Sequence, residues 1–407
     1  MLGATLPRPQ PAALSPSTAA ERQAVDAACA FELITDRAAF DALEPEWNAL
    51  FERAGRDTQV FQTFGWNWHW CNHYLPPAQA GARAPELAVV IARRAGRLAM
   101  VWPLVCEQGS GLRQVAWMGE PVSQYGDVLV EPTADAESVL RQGWEYLVSE
   151  LAPDLVRLRK VRADAAIAPL LVELKAIPTE HQQAPFLDLA SAASFADYEQ
   201  RYSARWRRNR RRLARRFAER GETGFERHAG GARARELALL AIALKRAWLK
   251  ERGLVSLALA DPRTAAFFAD VAEGGERPTG CQVSALMCNG EAAAIEITFC
   301  CKTRTVMHVI VFNLEYESAG AGALVLEDTI ARACESGCRA FDLLAPADAY
   351  KLDWADDSVG VTDWALPLSL KGRLYTHLYL GLARSAAKWA VGVLPLSLRR
   401  ALSGRLA

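Results

Sequence analysis

The sequence predicts an α+β fold made of two tandem copies of one unit. Each copy is a mixed, mostly antiparallel sheet flanked by helices, and amphipathic helices follow at the C-terminus. Three observations carry this expectation. Apolar runs of period two alternate with longer runs of period 3.6 along the chain. The order strand, helix, helix, antiparallel meander, helix, strand occurs twice. The length, 407 residues with 51% hydrophobic, covers two to three domains.

The elements follow in order. Residues 1–28 are Pro/Ala-rich without an apolar core and read as a disordered leader. The first unit, 29–180, opens with the strand Phe31–Thr35. A helix follows with Phe40, Leu43, Trp47, Leu50 and Phe51 on one face, then the Trp-rich helix Phe64–Tyr74. Glu86–Ala92 and Arg97–Val105 form a hairpin, Ala134–Glu150 a helix and Asp154–Lys160 a strand. The second unit, 181–367, has a strand at Phe186–Leu189 and helices at Phe195–Arg220 and Ala232–Glu251. Its meander is Gln282–Cys288, Ala292–Cys301 and Arg304–Phe312, with a tight turn at Asn289-Gly290. A helix from Gly322 to Glu335 and a strand from Ala340 to Leu344 close it. Residues 368–407 form a basic amphipathic tail.

Composition excludes several classes. Formal charge is zero, so no global field draws a polyanion. Nine Cys without a CxxC pair read as free thiols of a reducing cytoplasm, not as a disulfide framework or zinc site. His69 and His73 share a helical face but lack a third ligand and read as packing, so no metal is expected. No uninterrupted apolar run reaches spanning length.

The junction of meander and helix carries the chemistry. Strand Arg304–Phe312 leads into Glu317-Ser-Ala-Gly320-Ala-Gly322, where a helix begins. Glycines at a helix N-terminus can form a phosphate cradle; a plain loop is the alternative. The first unit has Glu131, Asp135 and Glu137 at the equivalent place and no Gly, which would repel a phosphate. A cofactor is therefore expected in the second unit alone.

These stretches resemble known families. The glycine loop is similar to the Q/R-x-x-G-x-G/A loop of GNAT acyltransferases, with Glu317 at the first position instead of Gln or a basic residue. Ser203–Arg216 followed by Gly221, Tyr316-Glu-Ser-Ala-Gly320, and Phe341-Asp-Leu-Leu with Tyr350-Lys-Leu-Asp-Trp354 resemble the CelD/BcsL acetyltransferases of cellulose and exopolysaccharide biosynthesis. Ala319 stands where that family usually has Pro. The resemblance extends over about 30–365 through Trp47, Phe61-Gln-Thr-Phe and Trp102-Pro-Leu. It implies two GNAT-like subdomains as in the Fem peptidyltransferases, with acetyl-CoA or another acyl-CoA as co-substrate. The seat would comprise Val309, Val311, Ser318, Ala319, Gly320, Ala321 and Gly322.

Acyl transfer needs a base and oxyanion donors. Glu296, facing away from Ile295 and Ile297, is the preferred base. Asp342 is a second candidate, or a structural carboxylate. Lys351 could stabilise negative charge, or lie solvated on the surface. His308 among Val and Ile reads as a satisfied core histidine.

Residues 201–220 hold ten Arg and one acidic residue. Tyr202, Trp206, Leu213 and Phe217 form the packing stripe of this helix. Arg205, Arg208 and Arg212, with Tyr350, are candidates for an anion or substrate site; a solvated charged face is the plain alternative. Nucleic acid is not the expected partner, because the rest of the chain is neutral. After Asp363 no acidic residue occurs. Residues 370–407 are read as contacting an anionic membrane or as packing back on the core. The expected protein is cytoplasmic or peripheral to the inner membrane. It acylates an amine or hydroxyl of a small-molecule or glycan acceptor. Its rivals are a Fem-like transferase using aminoacyl-tRNA and a non-catalytic scaffold in an exopolysaccharide complex.

Overall fold

The computed structural model describes residues 29–75, 85–109, 111–274 and 280–383. The strands are β1 (Ala30–Ile34), β2 (Glu86–Leu87), β3 (Val89–Arg94), β4 (Arg97–Trp102), β5 (Leu104–Gly109), β6 (Leu112–Trp117), β7 (Leu129–Val130), β8 (Leu155–Arg162), β9 (Ile177–Asp188), β10 (Thr223–His228), β11 (Cys281–Cys288), β12 (Glu291–Cys301), β13 (Arg304–Phe312), β14 (Ala340–Asp342) and β15 (Asp357–Pro367). The principal helices are α1 (Glu44–Ala54), α2 (Phe64–Tyr74), α3 (Ala136–Leu151), α4 (Ala204–Ala218), α5 (Gly231–Glu251), α6 (Arg263–Gly274) and α7 (Ala321–Glu335). The leader lies outside the described residues, as does the tail beyond 383.

The tandem repeat is visible in two crossovers. β6 and β8 pair in parallel across α3, and β13 and β14 pair in parallel across α7. A short helix and one antiparallel strand follow each crossover. Those last strands are exchanged. β9 ends the first unit but pairs with β14 of the second, and β15 ends the second but pairs with β8 of the first. β9 and β15 also pair with each other. One eleven-stranded sheet results, in the order β10-β11-β12-β13-β14-β9-β15-β8-β6-β5-β2, beside a four-stranded sheet β1-β3-β4-β7. The domain boundary expected at 180/181 thus falls inside β9, and the two units are interlocked.

Local chemistry explains the elements that frame the site. The β11–β12 hairpin turns on Asn289 (φ 52°) and Gly290 (φ 80°), the left-handed pair a two-residue hairpin requires. The basic helix expected from Phe195 breaks before α4. The Ser203 side chain accepts from the Trp206 N–H at 3.1 Å and caps a new start. Trp206, Arg210, Leu213 and Phe217 face the body from α4. The chain leaves α4 at Gly221 (φ 146°), where a Cβ would lie 2.0 Å from Asn289 Oδ1. The same Asn289 accepts from the Glu222 N–H at 3.0 Å, tying the helix end to the hairpin turn.

The main core runs through both units. Trp66 meets Phe267 edge-on at 5.0 Å and Phe299 at 5.2 Å. Tyr74 and Thr264 hydroxyls lie 2.9 Å apart, and His73 Nε2 lies 2.8 Å from Asp270 Oδ2. The Trp-rich helix α2 is therefore the first unit's hold on α6. Residues 370–383 dock through Leu380, buried against Leu155 and Ala365. Leu370, Leu374 and Leu378 of this segment are exposed. Among the described residues no helix is long and apolar enough to cross a membrane.

Candidate active site

β13 and β14 pair only from Arg304–Val306 to Ala340–Asp342, and β13 then runs on to Phe312 paired with β12 but not with β14. Where they part, a cleft of about 190 Å³ opens. The second unit lines it with His308, Ile310, Leu344, Tyr350 and Lys351, helix α5 adds Lys245, and the first unit closes it with Val122 and Gln124. The strand is bulged here. Ile297 faces Val309 and Thr298 faces Met307, which leaves His308 as the extra residue. The His308 ring packs among Trp66, Phe268 and Phe299, and its Nε2 donates to the Val122 carbonyl at 2.7 Å. Burial pushes its pKa down to about 4, so it is neutral at pH 7.

The bulge also sets which backbone groups face the cleft. N–H and C=O of one strand residue point to the same side, and alternate residues point oppositely. The Asn313 N–H bonds Ala293 at 2.9 Å, toward β12. Val309 and Val311 share that direction, and their side chains are buried in the core. The Ile310 carbonyl points the other way, into the cleft, where Lys245 Nζ donates to it at 2.9 Å. The Ile310 N–H shares that side. Of the expected strand contacts, Val309 does line the cleft, but its N–H and that of Val311 point toward β12, and Ile310 is the residue whose backbone turns to the cleft.

Lys351 is buried, not solvated. Its Nζ donates to the carbonyls of Leu344 (2.9 Å) and Pro346 (3.0 Å), with Asp348 Oδ2 at 3.8 Å. Burial pushes its pKa down to about 8; Lys245 adds to this and Asp348 opposes it. Burial likewise lowers that of Lys245. Lys245, Asp348 and Gln124 were not among the expected site residues. Lys245 could have been found: it takes an inward position after Ala234, Ala238 and Ala241 on α5. Gln124 depends on tertiary structure, since Lys160 Nζ holds its Oε1 at 2.7 Å.

The two expected carboxylates do not line the cleft, although Asp342 acts on Lys351 and Glu296 on Tyr350 electrostatically. Asp342 is fully buried and its oxygens are occupied. Oδ1 accepts from the Tyr125 hydroxyl (2.8 Å) and the Leu344 N–H (2.9 Å), and Oδ2 from Arg162 (3.0 Å). Glu296 is fully buried on the sheet face toward α7, away from His308 and the α5 side of the cleft. Neither carboxyl oxygen has a hydrogen-bond partner among the described residues. Burial pushes its pKa up to about 8, so at neutral pH it mostly holds a proton.

The glycine loop places Ser318 in solvent and buries Ala319 and Ala321. Gly320 (φ 72°) ends a short 3₁₀ turn and starts α7, which has no side-chain cap. A Cβ on Gly320 would meet Leu213 of α4 at 2.6 Å, and one on Gly322 would meet Phe312 at 2.9 Å. Packing thus accounts for both glycines. The neighbouring cations are engaged: Arg210 bonds Glu327 and the Ala323 carbonyl, and Arg252 pairs with Glu317. The loop thus offers an uncapped helix N-terminus whose two neighbouring cations are already paired. Arg205, Arg208 and Arg212 lie outside, on the exposed face of α4, and Tyr350 is 41% exposed at the cleft rim. Among the described residues no group of three or more His, Cys, Asp or Glu is placed to hold a metal ion.

Residues 204–352 match the family described as Acetyltransferase (GNAT) domain. No curated protein matches the sequence. Among solved structures, FemX aligns with a TM-score of 0.55 at 9% identity, over 85% of this chain and 99% of its own. L-PGS from Bacillus licheniformis gives 0.49 at 11% identity, over 82% and 95%. A tandem GNAT protein from the clavulanic acid biosynthesis pathway gives 0.47 at 12%, over 83% and 98%. At these identities the likeness is one of fold. The chain has a tandem GNAT-like fold, and the match to the GNAT family model lies in its second unit.

Proposed function

We propose that this protein transfers an acyl group from a pantetheine thioester to an amine or hydroxyl acceptor. Acetyl-CoA or another acyl-CoA is the simplest such donor, and a polysaccharide or envelope precursor is the acceptor class suggested by the CelD/BcsL resemblance. One observation carries the reading: a cleft at the parting of β13 and β14 brings the Ile310 N–H together with the buried Lys351 and the half-buried Lys245.

The residues divide the work as follows. The thioester supplies an activated carbonyl when bound. The Ile310 N–H is the donor placed for that carbonyl oxygen. Lys351 in its neutral form gives its two N–H bonds to Leu344 and Pro346 and keeps a lone pair. It takes the proton the acceptor loses as the new C–N or C–O bond forms and the C–S bond breaks; the departing thiolate then receives a proton. A pKa of about 8 suits this exchange near neutral pH. Lys245 fixes the Ile310 peptide, and Gln124 faces the acceptor from the first unit.

Calorimetric titration with acetyl-CoA, together with thiol release in the presence of amino sugars, tests the reading. Saturable binding and acceptor-dependent release are expected. Absence of binding by every pantetheine thioester tried, free or carrier-borne, overturns it in favour of a non-catalytic scaffold.

A further inference from the structure

On the thioester reading the cleft takes the arm, while the cations beside the adjoining loop, Arg210 and Arg252, are already paired. The unneutralised positive charge lies one helix further out. Arg205, Arg208, Arg212, Arg215 and Arg216 are all exposed on α4, and none forms an ion pair with a described carboxylate within 4.0 Å. At about 100° per residue they occupy an arc of roughly 100° and a length of roughly 16 Å. Other arginines of the segment are used internally: Arg201 on Asp356, Arg210 on Glu327 and Arg211 on Glu199. Helix α4 is fixed against the loop by Leu213 on Gly320. Its first half packs over Trp354, three residues past Lys351, through Trp206 at 4.8 Å. Helix α4 thus packs on the segment that carries Lys351, with the stripe on its outer face.

We infer that this stripe docks an acidic carrier protein that presents the acyl group on a phosphopantetheine arm. Five fixed cations at helical spacing match carboxylates on a partner helix, and Arg forks pair with carboxylates bidentately. Such an arm bears a single phosphodiester and needs no diphosphate seat. The observations disfavour the other anions. No apolar side chain is exposed along this arc to enter a bilayer. The nearest ring, Trp206, is stacked on Tyr202 at 4.1 Å and is not a free platform for a nucleobase. The inference rests on the thioester reading of the cleft but not on CoA.

The experiment measures binding of the full chain to three labelled probes: an acetylated acyl carrier protein of fatty-acid synthesis, acetyl-CoA and a single-stranded RNA oligonucleotide. Each is titrated at low and high salt, with wild type and the R205E/R208E/R212E variant, whose fold is checked by thermal melting. The expected result is carrier binding at least tenfold tighter than that of acetyl-CoA, weakened by salt and reduced at least tenfold in the variant. Carrier binding that ignores the charge reversal overturns the inference, as does RNA binding tighter than carrier binding. If acetyl-CoA binds and the carrier does not, the docking inference fails alone. If neither binds, the thioester reading fails with it.

Discussion

The Tyr125 hydroxyl of the first unit donates to Asp342 Oδ1 of the second at 2.8 Å, in a place with no solvent. Arg162, also from the first unit, bonds the other oxygen at 3.0 Å, and Arg304 Nη1 lies 3.6 Å from it. Removing the carboxylate leaves the Tyr125 hydroxyl and the Leu344 N–H without their acceptor, and takes one of two carboxylate partners from Arg162, which keeps Asp164, and from Arg304, which keeps Asp57. Asp342→Ala should therefore cost about 3–5 kcal/mol, and Tyr125→Phe about 1–3 kcal/mol. Urea unfolding followed by Trp fluorescence and by far-UV dichroism checks both. Little change in Asp342→Ala would return this residue to the list of catalytic candidates.

The exchange of β9 and β15 makes a second prediction. A fragment of residues 181–383 lacks β8, the partner of β15, and cuts β9 within its length. It also loses α2, whose Trp66 fills the shared core. The fragment should not fold alone, although it contains the whole matched GNAT domain. A dispersed amide NMR spectrum from it would refute the interlocked arrangement. Intact protein should unfold in one transition by all probes.

Much of this architecture was legible in the sequence, and the failures have definite causes. The meander ends fall within a residue of expectation, because β-branched alternation and Asn289-Gly290 are local signals. β15 escaped notice because Asp363 interrupts its apolar pattern. That carboxylate is buried and accepts from Arg159 (3.1 Å) and the Lys160 N–H (2.8 Å), partners some 200 positions away in the chain. The cleft was half legible. Its strand and loop could be placed, but the bulge at His308, which decides between Ile310 and its neighbours, has no local mark. Lys351 was found; its burial was not, since two carbonyls of its own loop satisfy it.

Glu296 gives a test with a definite sign. Its folded pKa, about 8, lies above the unfolded value of 4.5. The native state thus binds the extra proton between these values, and stability falls as pH rises from 4.5 through 8. Glu296→Gln removes the titration. The variant should match wild type near pH 4.5 and be more stable by on the order of 1–3 kcal/mol at pH 8. Thermal melts across that range check it. An unchanged difference at both pH values would mean that Glu296 is ionised and accessible, and would restore it as a base.

Gly320 separates packing from ligand binding. Alanine there must adopt φ 72° and press on Leu213 at 2.6 Å. Gly320→Ala should cost about 1–2 kcal/mol. Adding Leu213→Ala should relieve the steric share and leave the backbone share. If Gly320→Ala leaves stability intact and weakens acetyl-CoA binding instead, the loop is a phosphate seat after all.

Lys351 bears most directly on mechanism. As a neutral base with a pKa near 8, it should give a kcat/KM for thiol release that climbs with pH and levels off above 8. A lysine needed as a cation predicts the reverse, a fall through the same pKa. Lys351→Met should reduce turnover by about 10²–10⁴-fold and flatten the profile. It also strips donors from Leu344 and Pro346, so a melting curve must accompany the rates. Lys351→Arg separates the two roles, because guanidinium keeps its charge at every accessible pH. Retained turnover in that variant, on a melt close to wild type, would show that Lys351 supplies charge and that the proton leaves by another route.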